Sequence, residues 1–197
     1  YDQGEGVQQD KVKAFEWFLK SAKAGKIFSQ VVVGLRYMEG VGVDVDLNKA
    51  AFWLYKKYQN DPESMYSKKL AIVYFQNLNN NNPVIDNLSR EFIFNELLPS
   101  LNIGDLSAVA SEVHLNLDNI IEAIPLMEMA AEKGSATSMG VLGSLYAVKH
   151  HPAYGDVYYD LERAIHWLKK SSKNSIGTGL SLIRIYLGSS GISYFDL

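Results

Sequence analysis

The chain has no cysteine among its 197 residues. This excludes disulfide bonds, thiolate metal ligands and cysteine nucleophiles together. No stretch approaches the roughly 18 consecutive apolar residues that a membrane-spanning helix needs, so no membrane span is predicted here. With 47% hydrophobic and 21% charged residues, the composition is that of an ordinary folded, soluble chain.

The sequence also lacks the short motifs that carry most enzyme chemistry. It has no G-x-S-x-G elbow, no phosphate-binding G-x-x-x-x-G-K-[ST], no H-E-x-x-H and no dinucleotide fingerprint. Its Gly-x-Gly pairs follow predicted helices, so we interpret them as helix-terminating turns. His114 and His166 lie on predicted helices and are interpreted as packing or surface residues. We therefore predict a chain that is not an enzyme, with no catalytic, cofactor-binding or metal-binding residues.

Basic residues are scarce in the middle of the chain. The net charge is −3, but residues 61–160 carry 5 Lys or Arg against 13 Asp or Glu. Because nucleic acid binding needs a continuous basic surface, this distribution argues against a nucleic acid partner. An acidic surface would suit a basic region of a partner protein. The alternative is that the acidic residues are solvated helix faces, among them Glu112, Glu122, Glu128 and Glu132.

What the sequence does contain is an internal repeat. The stretch YDQGEGVQQDKVKAFEWF begins at Tyr1, and YMEGVGVDVDLNKAAFWL begins 36 residues later at Tyr37. Both copies have Tyr, Gly-x-Gly-Val, Asp-x-x-Lys-Ala and Trp at the same offsets. Self-similarity at such a period is typical of a repeat architecture.

One repeat is interpreted as a helix, a glycine turn and a second helix. The first helix ends at Tyr37, and the turn uses two glycines because glycine adopts positive φ without steric cost. Asp46 is predicted to be the N-cap of the second helix. Three apolar residues of that helix recur at three- and four-residue spacing and share one face: Ala50, Trp53 and Leu54.

This pattern resembles the Sel-1-like repeat, a relative of the tetratricopeptide repeat. The first helix of that repeat ends in Leu-Gly-x-x-Tyr, a motif that Val33–Tyr37 matches with one substitution. The family repeat closes with Ala-Ala-x-x-Gly, a motif that Ser21–Gly25 matches, again with one substitution. The resemblance implies an all-α fold, a right-handed α-solenoid of stacked antiparallel helix pairs, and a function in binding other proteins.

The rest of the chain carries the pattern less completely. Ala130–Gly134 closes one repeat, Gly143–Tyr146 ends a first helix, and Asp160–Trp167 repeats the signature of a second helix. We predict a single repeat domain over residues 1–197 with about five repeats. Residues 77–117 form irregular repeats, and both ends of the sequence cut through a repeat. The sequence is therefore expected to be part of a longer protein.

The repeat first breaks at an asparagine-rich segment. Asn77–Asn87 replaces the third glycine turn, and Asp86 is predicted to be the N-cap of the helix that follows at 88–98. The segment is either a loop that contacts a partner or a tolerated surface insertion. Further on, the Ala/Trp signature is lost, although residues 104–115 still predict a first helix.

A second break is the segment Ala147–Asp160. Between Tyr146 and Asp160 the spacing is 14 residues, against 9 between Tyr37 and Asp46. Three interpretations stay open: a partner interface, a turn whose aromatic rings fold back on the helices, and a metal site, which no Cys or paired acidic motif supports. The candidate partner-binding residues of this insertion are His150, His151, Tyr154, Tyr158 and Tyr159.

Pro125 conflicts with the repeat pattern. It lies three residues into a second-helix signature, where an interior proline costs roughly 3 kcal/mol. We therefore expect that helix to begin late, near Ala123, or to kink at Pro125.

A stack of helix pairs presents its first helices on a concave surface that commonly binds partners. We expect a non-catalytic scaffold or adaptor that binds another protein through this face and through the irregular loops. The alternative is an immunity or inhibitor protein that neutralises a bacterial toxin or effector. No cofactor is expected, and the bacterial cytoplasm and periplasm are both compatible with the sequence. The residues expected on the concave face are Val32, Arg36, Lys69, Val73, Val141, Leu145 and Ser181.

Overall fold

The computed structural model describes residues 2, 8–62, 66–79, 88–116, 118–149, 155 and 157–172, and its regular elements are helices. The all-α fold of helix pairs is thereby confirmed. Within the described ranges, each helix is too short or too polar to cross a membrane. The helices in chain order are α1 Lys11–Lys23, α2 Ile27–Glu39, α3 Leu47–Asn60, α4 Ser67–Asn79, α5 (Arg90–Phe92, Ile93–Leu97 and Leu98–Ser100), α6 (Ile103–Ser111 and Glu112–Asn116), α7 Ile120–Glu132, α8 Ala136–Ala147 and α9 Leu161–Ser172.

The chain divides into two compact units. Unit 1 comprises Tyr1–Asp105 and Glu112–Asn119, and unit 2 comprises Leu106–Ser111 and Ile120–Leu197. In unit 1, α2 packs against α1 and α3, and α3 also packs against α4. In unit 2, α8 packs against α7 and α9. The single five-repeat domain stays a prediction.

Local sequence chemistry sets the helix boundaries. The Asp46 carboxylate accepts a hydrogen bond from the backbone N–H of Lys49 at 2.9 Å and so caps α3. Asp10 caps α1 in the same way through Lys13, also at 2.9 Å. After α2, Gly40 adopts the left-handed conformation with φ 73°. The Asp46 cap and the glycine turn predicted from the repeat are therefore confirmed.

The second helices bury the face that their spacing predicts. The three signature residues of α3 are at most 6% exposed: Ala50, Trp53 and Leu54. Their counterparts in α9 are equally buried: Ala164, Trp167 and Leu168. Because burying a large apolar side chain contributes about 1.5–3 kcal/mol, this face is a main source of stability for each helix pair.

Both irregular middle helices contain a π-helical turn. In α5 it covers Ile93–Leu97, and in α6 it covers Glu112–Asn116. The predicted helices at 88–98 and 104–115 are confirmed in type. A π-turn accommodates one more residue than an α-turn, which shifts the positions that face the core.

The N-cap of α5 differs from the prediction. Ser89, and not Asp86, accepts the hydrogen bond from the backbone N–H of Phe92, at 3.1 Å. Serine caps as well as aspartate, and a cap has to stand directly before the first helical residue to reach the N–H groups of the first turn.

The expected late start of α7 is also wrong. The helix begins at Ile120 and continues through Pro125. Its face against α8 is buried on both sides of the proline, at Ala123 and Leu126. This packing offsets the hydrogen bond that the proline cannot donate. A kink at Pro125 stays a prediction.

Candidate functional site

The insertion in unit 2 is flanked by the same backbone hydrogen bond as the short turn in unit 1. The backbone N–H of Asp160 donates to the carbonyl oxygen of Tyr146 at 2.9 Å, as Asp46 does to Tyr37 at 2.9 Å. The Asp160 carboxylate then caps α9 by accepting from the backbone N–H of Arg163 at 3.0 Å. The two turns therefore begin and end at equivalent atoms, and the additional residues of unit 2 lie between them.

In unit 1 the short turn packs directly on α1. Gly42 has φ 72°, and a Cβ atom at this position would overlap the backbone of Lys11 and Val12. Beside this contact, the rings of Phe15 and Tyr37 meet edge to face with centroids 5.1 Å apart. The turn and α1 leave no room for a side chain at Gly42.

In unit 2 an open pocket of about 320 Å³ lies between α7 and residues 157–160, at the end of the longer turn. Ile124 occupies the repeat position of Phe15, so a smaller side chain stands where the ring packs in unit 1. The apolar walls come from α7 and from the insertion: Ile121, Ile124, Pro125, Val157, Tyr158 and Tyr159.

A polar network lies at one side of this pocket. The Tyr146 hydroxyl donates to Oε1 of Glu128 at 3.0 Å, and Arg163 forms an ion pair with the same carboxylate. The Arg163 guanidinium also lies over the Tyr146 ring, 4.4 Å from its centroid. Burial, together with the negative charge of Glu128, raises the pKa of the Tyr146 hydroxyl. The hydroxyl therefore stays protonated and acts as a donor at neutral pH.

The pocket combines apolar walls with one accessible cation. The Arg163 side chain is 50% exposed although it is paired with Glu128. Since a guanidinium carries five N–H donors, it retains donors for an acceptor group of a ligand. Across the described residues, no group of three His, Cys, Asp or Glu side chains could hold a metal ion. The arrangement suits binding of an apolar side chain beside a hydrogen-bond acceptor.

Three of the residues expected on the concave face are buried instead: Arg36, Val73 and Leu145. The Arg36 guanidinium pairs with Asp2 at 2.5 Å and lies over the Phe18 ring, 5.1 Å from its centroid. The Asp2 pKa is lowered mainly by this hydrogen bond. Because contacts inside unit 1 engage the Arg36 charge and the other two side chains are buried, we leave these three residues out of the surface proposed below.

The other predicted site residues are placed as follows. Val32 and Lys69 are half-buried, and Val141 is exposed. Tyr158 and Tyr159 both line the pocket, and the Lys149 ammonium lies 6.0 Å from the centroid of the Tyr159 ring. Four candidates lie outside the described residues: His150, His151, Tyr154 and Ser181.

Sequence reasoning missed the residues that make this pocket. Ile121, Ile124 and Arg163 line it, and Glu128 anchors Arg163. Two of these residues carry a signal that a comparison of the two copies could have found. In particular, Ile124 and Glu128 stand 109 residues after Phe15 and Leu19, so both differ in size or polarity from the equivalent residues of unit 1.

Two solved structures are similar to the chain. The first is a Sel1 repeat protein from Oxalobacter formigenes, with 25% sequence identity, a TM-score of 0.41 and an alignment that covers 95% of this chain and 74% of that chain. The second is c5321, a protective antigen in uropathogenic Escherichia coli strains that displays an SLR fold, with 20% sequence identity, a TM-score of 0.47 and an alignment that covers 98% of this chain and 40% of that chain. The chain thus spans less than half of c5321. A comparison with curated proteins gives no significant match.

The repeats themselves match a family model described as the Sel1 repeat over residues 1–26, 27–57, 118–135 and 146–175. These four segments include both Gly-x-Gly-Val copies and the second-helix signature at Asp160–Trp167. Sel1 repeat proteins generally mediate protein–protein interactions and are generally non-catalytic. The chain belongs to the Sel1 repeat family.

Proposed function

We propose that the chain is a protein-interaction scaffold whose unit 2 pocket accepts an apolar side chain of a partner protein. The observation that carries the proposal is the difference between the two turns. Beside the short turn Gly42 packs on α1, whereas in unit 2 residues 157–159 and α7 line an open pocket. Insertions in repeat proteins commonly form binding surfaces.

The chemistry of the pocket supports an anchor of this kind. Tyrosine and arginine are the residues most enriched among those that dominate binding energy, and Tyr158, Tyr159 and Arg163 stand together here. Two further wall residues are strongly exposed, Ile121 at 71% and Val157 at 78%. Burying such adjacent apolar surface against a partner would contribute roughly 25 cal/mol per Å². Binding requires no chemical step by this chain.

The first-helix residues that are at least partly exposed extend the proposed surface within each unit. In unit 1 these are Val32 and Lys69, and in unit 2 Val141. The insertion residues His150, His151 and Tyr154, and Ser181, remain proposed contacts on sequence grounds alone. No feature of the described residues favours the inhibitor of a toxin or effector, so that alternative is not part of the proposal.

The test is a quantitative capture of partners from a lysate of the source cells. Ile121→Asp places a charge at the pocket wall, and Val12→Asp is its matched control, because Val12 holds the same repeat position in unit 1 and is 57% exposed. We expect at least about tenfold less of a specific partner on Ile121→Asp and on Tyr159→Ser, with capture by Val12→Asp unchanged. Purified partner then gives the affinity for each variant by titration calorimetry.

The far-ultraviolet circular dichroism of each variant reports whether it folds. Since Ile121 is mostly exposed, its substitution should leave the helix content and the melting temperature nearly unchanged. If Ile121→Asp and Val12→Asp retain the same partners with the same affinity, the pocket is not the binding site.

A further inference from the structure

In unit 1, each aspartate that caps a second helix has a cation beside it. The Lys49 ammonium stands 2.6 Å from Oδ2 of Asp46, the oxygen that does not cap the helix. Asp10 and Lys13 repeat this arrangement on α1, with an ammonium-to-Oδ2 distance of 3.3 Å. In both cases the lysine is the third residue after the aspartate, so the cap and its counter-charge come from the same turn of helix.

The cap of α9 lacks this counter-charge. Arg163 is the third residue after Asp160, but its guanidinium pairs with Glu128. Oδ1 of Asp160 accepts from the Arg163 backbone N–H. Among the described residues, including Lys149 over the Tyr159 ring, no cation pairs with Oδ2 of Asp160. The pairing of Arg163 with Glu128 therefore leaves one carboxylate oxygen of the cap without a partner.

This carboxylate belongs to the wall of the unit 2 pocket. Asp160 lines the pocket together with Tyr158 and Tyr159, the two residues before it. Burial and the Glu128 charge raise the pKa of the Tyr146 hydroxyl most, and the Asp160 charge acts in the same direction. A side chain that enters the pocket therefore meets apolar walls, two tyrosines and a carboxylate without a counter-ion.

We propose that the partner segment held by this pocket carries a basic side chain, lysine or arginine, next to its apolar anchor. The inference rests on the proposed function, because it assigns the neighbour of the side chain that the pocket accepts. The basic group pairs with Oδ2 of Asp160, as the Lys49 ammonium does with Asp46 in unit 1. Its methylene stem packs on the tyrosines of the wall, since long basic side chains lay their stems on apolar surface and keep the charge in water.

The charges of the pocket favour a basic neighbour over an acidic one. Among the described residues that line the pocket, Arg163 is the cation, and Glu128 already neutralises it. An acidic side chain of the partner therefore finds no unpaired cation in the wall and is repelled by Asp160. The exposed donors of Arg163 suit a neutral acceptor, such as a backbone carbonyl oxygen of the same segment.

The test is an array of immobilised peptides probed with the whole chain. Each peptide has two adjacent positions, both varied through all amino acids, in a background of glycine and serine. The wild type should bind best where an apolar residue stands next to lysine or arginine, and worst where it stands next to aspartate or glutamate. Peptides from the strongest spots then give affinities by fluorescence anisotropy.

Asp160→Asn tests the carboxylate, because asparagine caps a helix about as well as aspartate while the charge is removed. We expect the wild type to prefer lysine over glutamine by about three- to fivefold, the size of an exposed ion pair, and Asp160→Asn to lose this preference. Asp46→Asn is the matched control, since it removes the same charge from the cap of α3 in unit 1, and it should keep the preference. The wild-type preference should also shrink at high salt, which screens the charges. Circular dichroism reports whether each variant folds.

The outcomes separate this inference from the proposed function. An apolar preference without a preference for a basic neighbour overturns the inference and leaves the proposed function standing. A basic preference that Asp160→Asn retains overturns the assignment to this carboxylate. Absence of an apolar preference, or of binding to any peptide, overturns both, and it includes the case in which another segment of the whole chain occupies the pocket.

Discussion

The pair α2–α3 of unit 1 and the pair α8–α9 of unit 2 share their backbone contacts and differ beside the turn. In each pair a glycine meets a leucine, and the carbonyl oxygen of the last tyrosine accepts from the backbone N–H of the capping aspartate. The turn between these contacts packs on α1 through Gly42 in unit 1, whereas in unit 2 a pocket lies between Ile124 and residues 157–159. The shared contacts hold the helices, so the turn can change length without disturbing them.

The polar groups near Tyr37 in unit 1 also differ from those near Tyr146 in unit 2. Lys49 lies over the Tyr37 ring at 5.3 Å, and Arg163 lies over the Tyr146 ring at 4.4 Å. Unit 2 adds Glu128, which accepts from the Tyr146 hydroxyl and pairs with Arg163. The repeat position of Glu128 is a leucine in unit 1. A carboxylate at this one position therefore fixes a cation beside the pocket.

Replacing one glycine in each turn should give the largest difference in stability between the two units. Gly42→Ala should cost about 3 kcal/mol of unfolding free energy, because the left-handed backbone is strained for alanine and the Cβ atom has to displace the backbone of Lys11. Gly155→Ala has the same kind of backbone, with φ 60°, but among the described residues no atom beyond its chain neighbours lies within 4 Å of the Cβ position, so about 1 kcal/mol is expected. Native-state hydrogen exchange in α2–α3 and α8–α9 measures each loss. Equal losses would contradict the packing of the short turn on α1.

The shared contacts could be predicted from the sequence because they are local. A capping aspartate, a left-handed glycine and a buried helix face each depend on a few neighbouring residues. The pocket could not be predicted in this way, since its walls come from α7 and from residues 157–159, which are distant from α7 in sequence. Arg36 shows the same limit: its repeat position predicts an exposed side chain, but Asp2 and Phe18, distant in sequence, engage its guanidinium.

Removing the capping carboxylates tests a contact that the two units share. Asp46→Ala and Asp160→Ala should each cost about 1 kcal/mol, because each carboxylate accepts one backbone N–H, at 2.9 and 3.0 Å respectively. Asp44→Ala is the control: it is exposed, lies in the same turn and should change stability by less than about 0.5 kcal/mol. Hydrogen exchange at the starts of α3 and α9 gives the values. A much smaller cost at Asp160 would mean that the longer insertion does not hold its cap in place.

The charge on the unit 1 cap should have the smallest effect, and it should depend on pH. Burial acts to raise the pKa of Asp46, but hydrogen bonds from the Lys49 side chain and backbone outweigh it and lower the pKa from its ordinary 3.8. The Lys49 ammonium stands 2.6 Å from this carboxylate, whereas in unit 2 the corresponding cation, Arg163, pairs with Glu128. Since a lowered pKa stabilises the folded chain above pH 3.8, the benefit is lost as the pH falls through the folded pKa.

Asp46→Asn isolates this charge, because asparagine caps a helix about as well as aspartate. At pH 7 the wild type should be more stable than Asp46→Asn by about 0.5 kcal/mol, the size of an exposed ion pair. Denaturant unfolding at steps from pH 7 downward should show the difference shrinking below pH 3.8. In a Lys49→Met background the difference at neutral pH should shrink, because the ion pair is gone. A difference that stays constant with pH would show that the Asp46 side chain stabilises α3 only through the hydrogen bond that asparagine also makes.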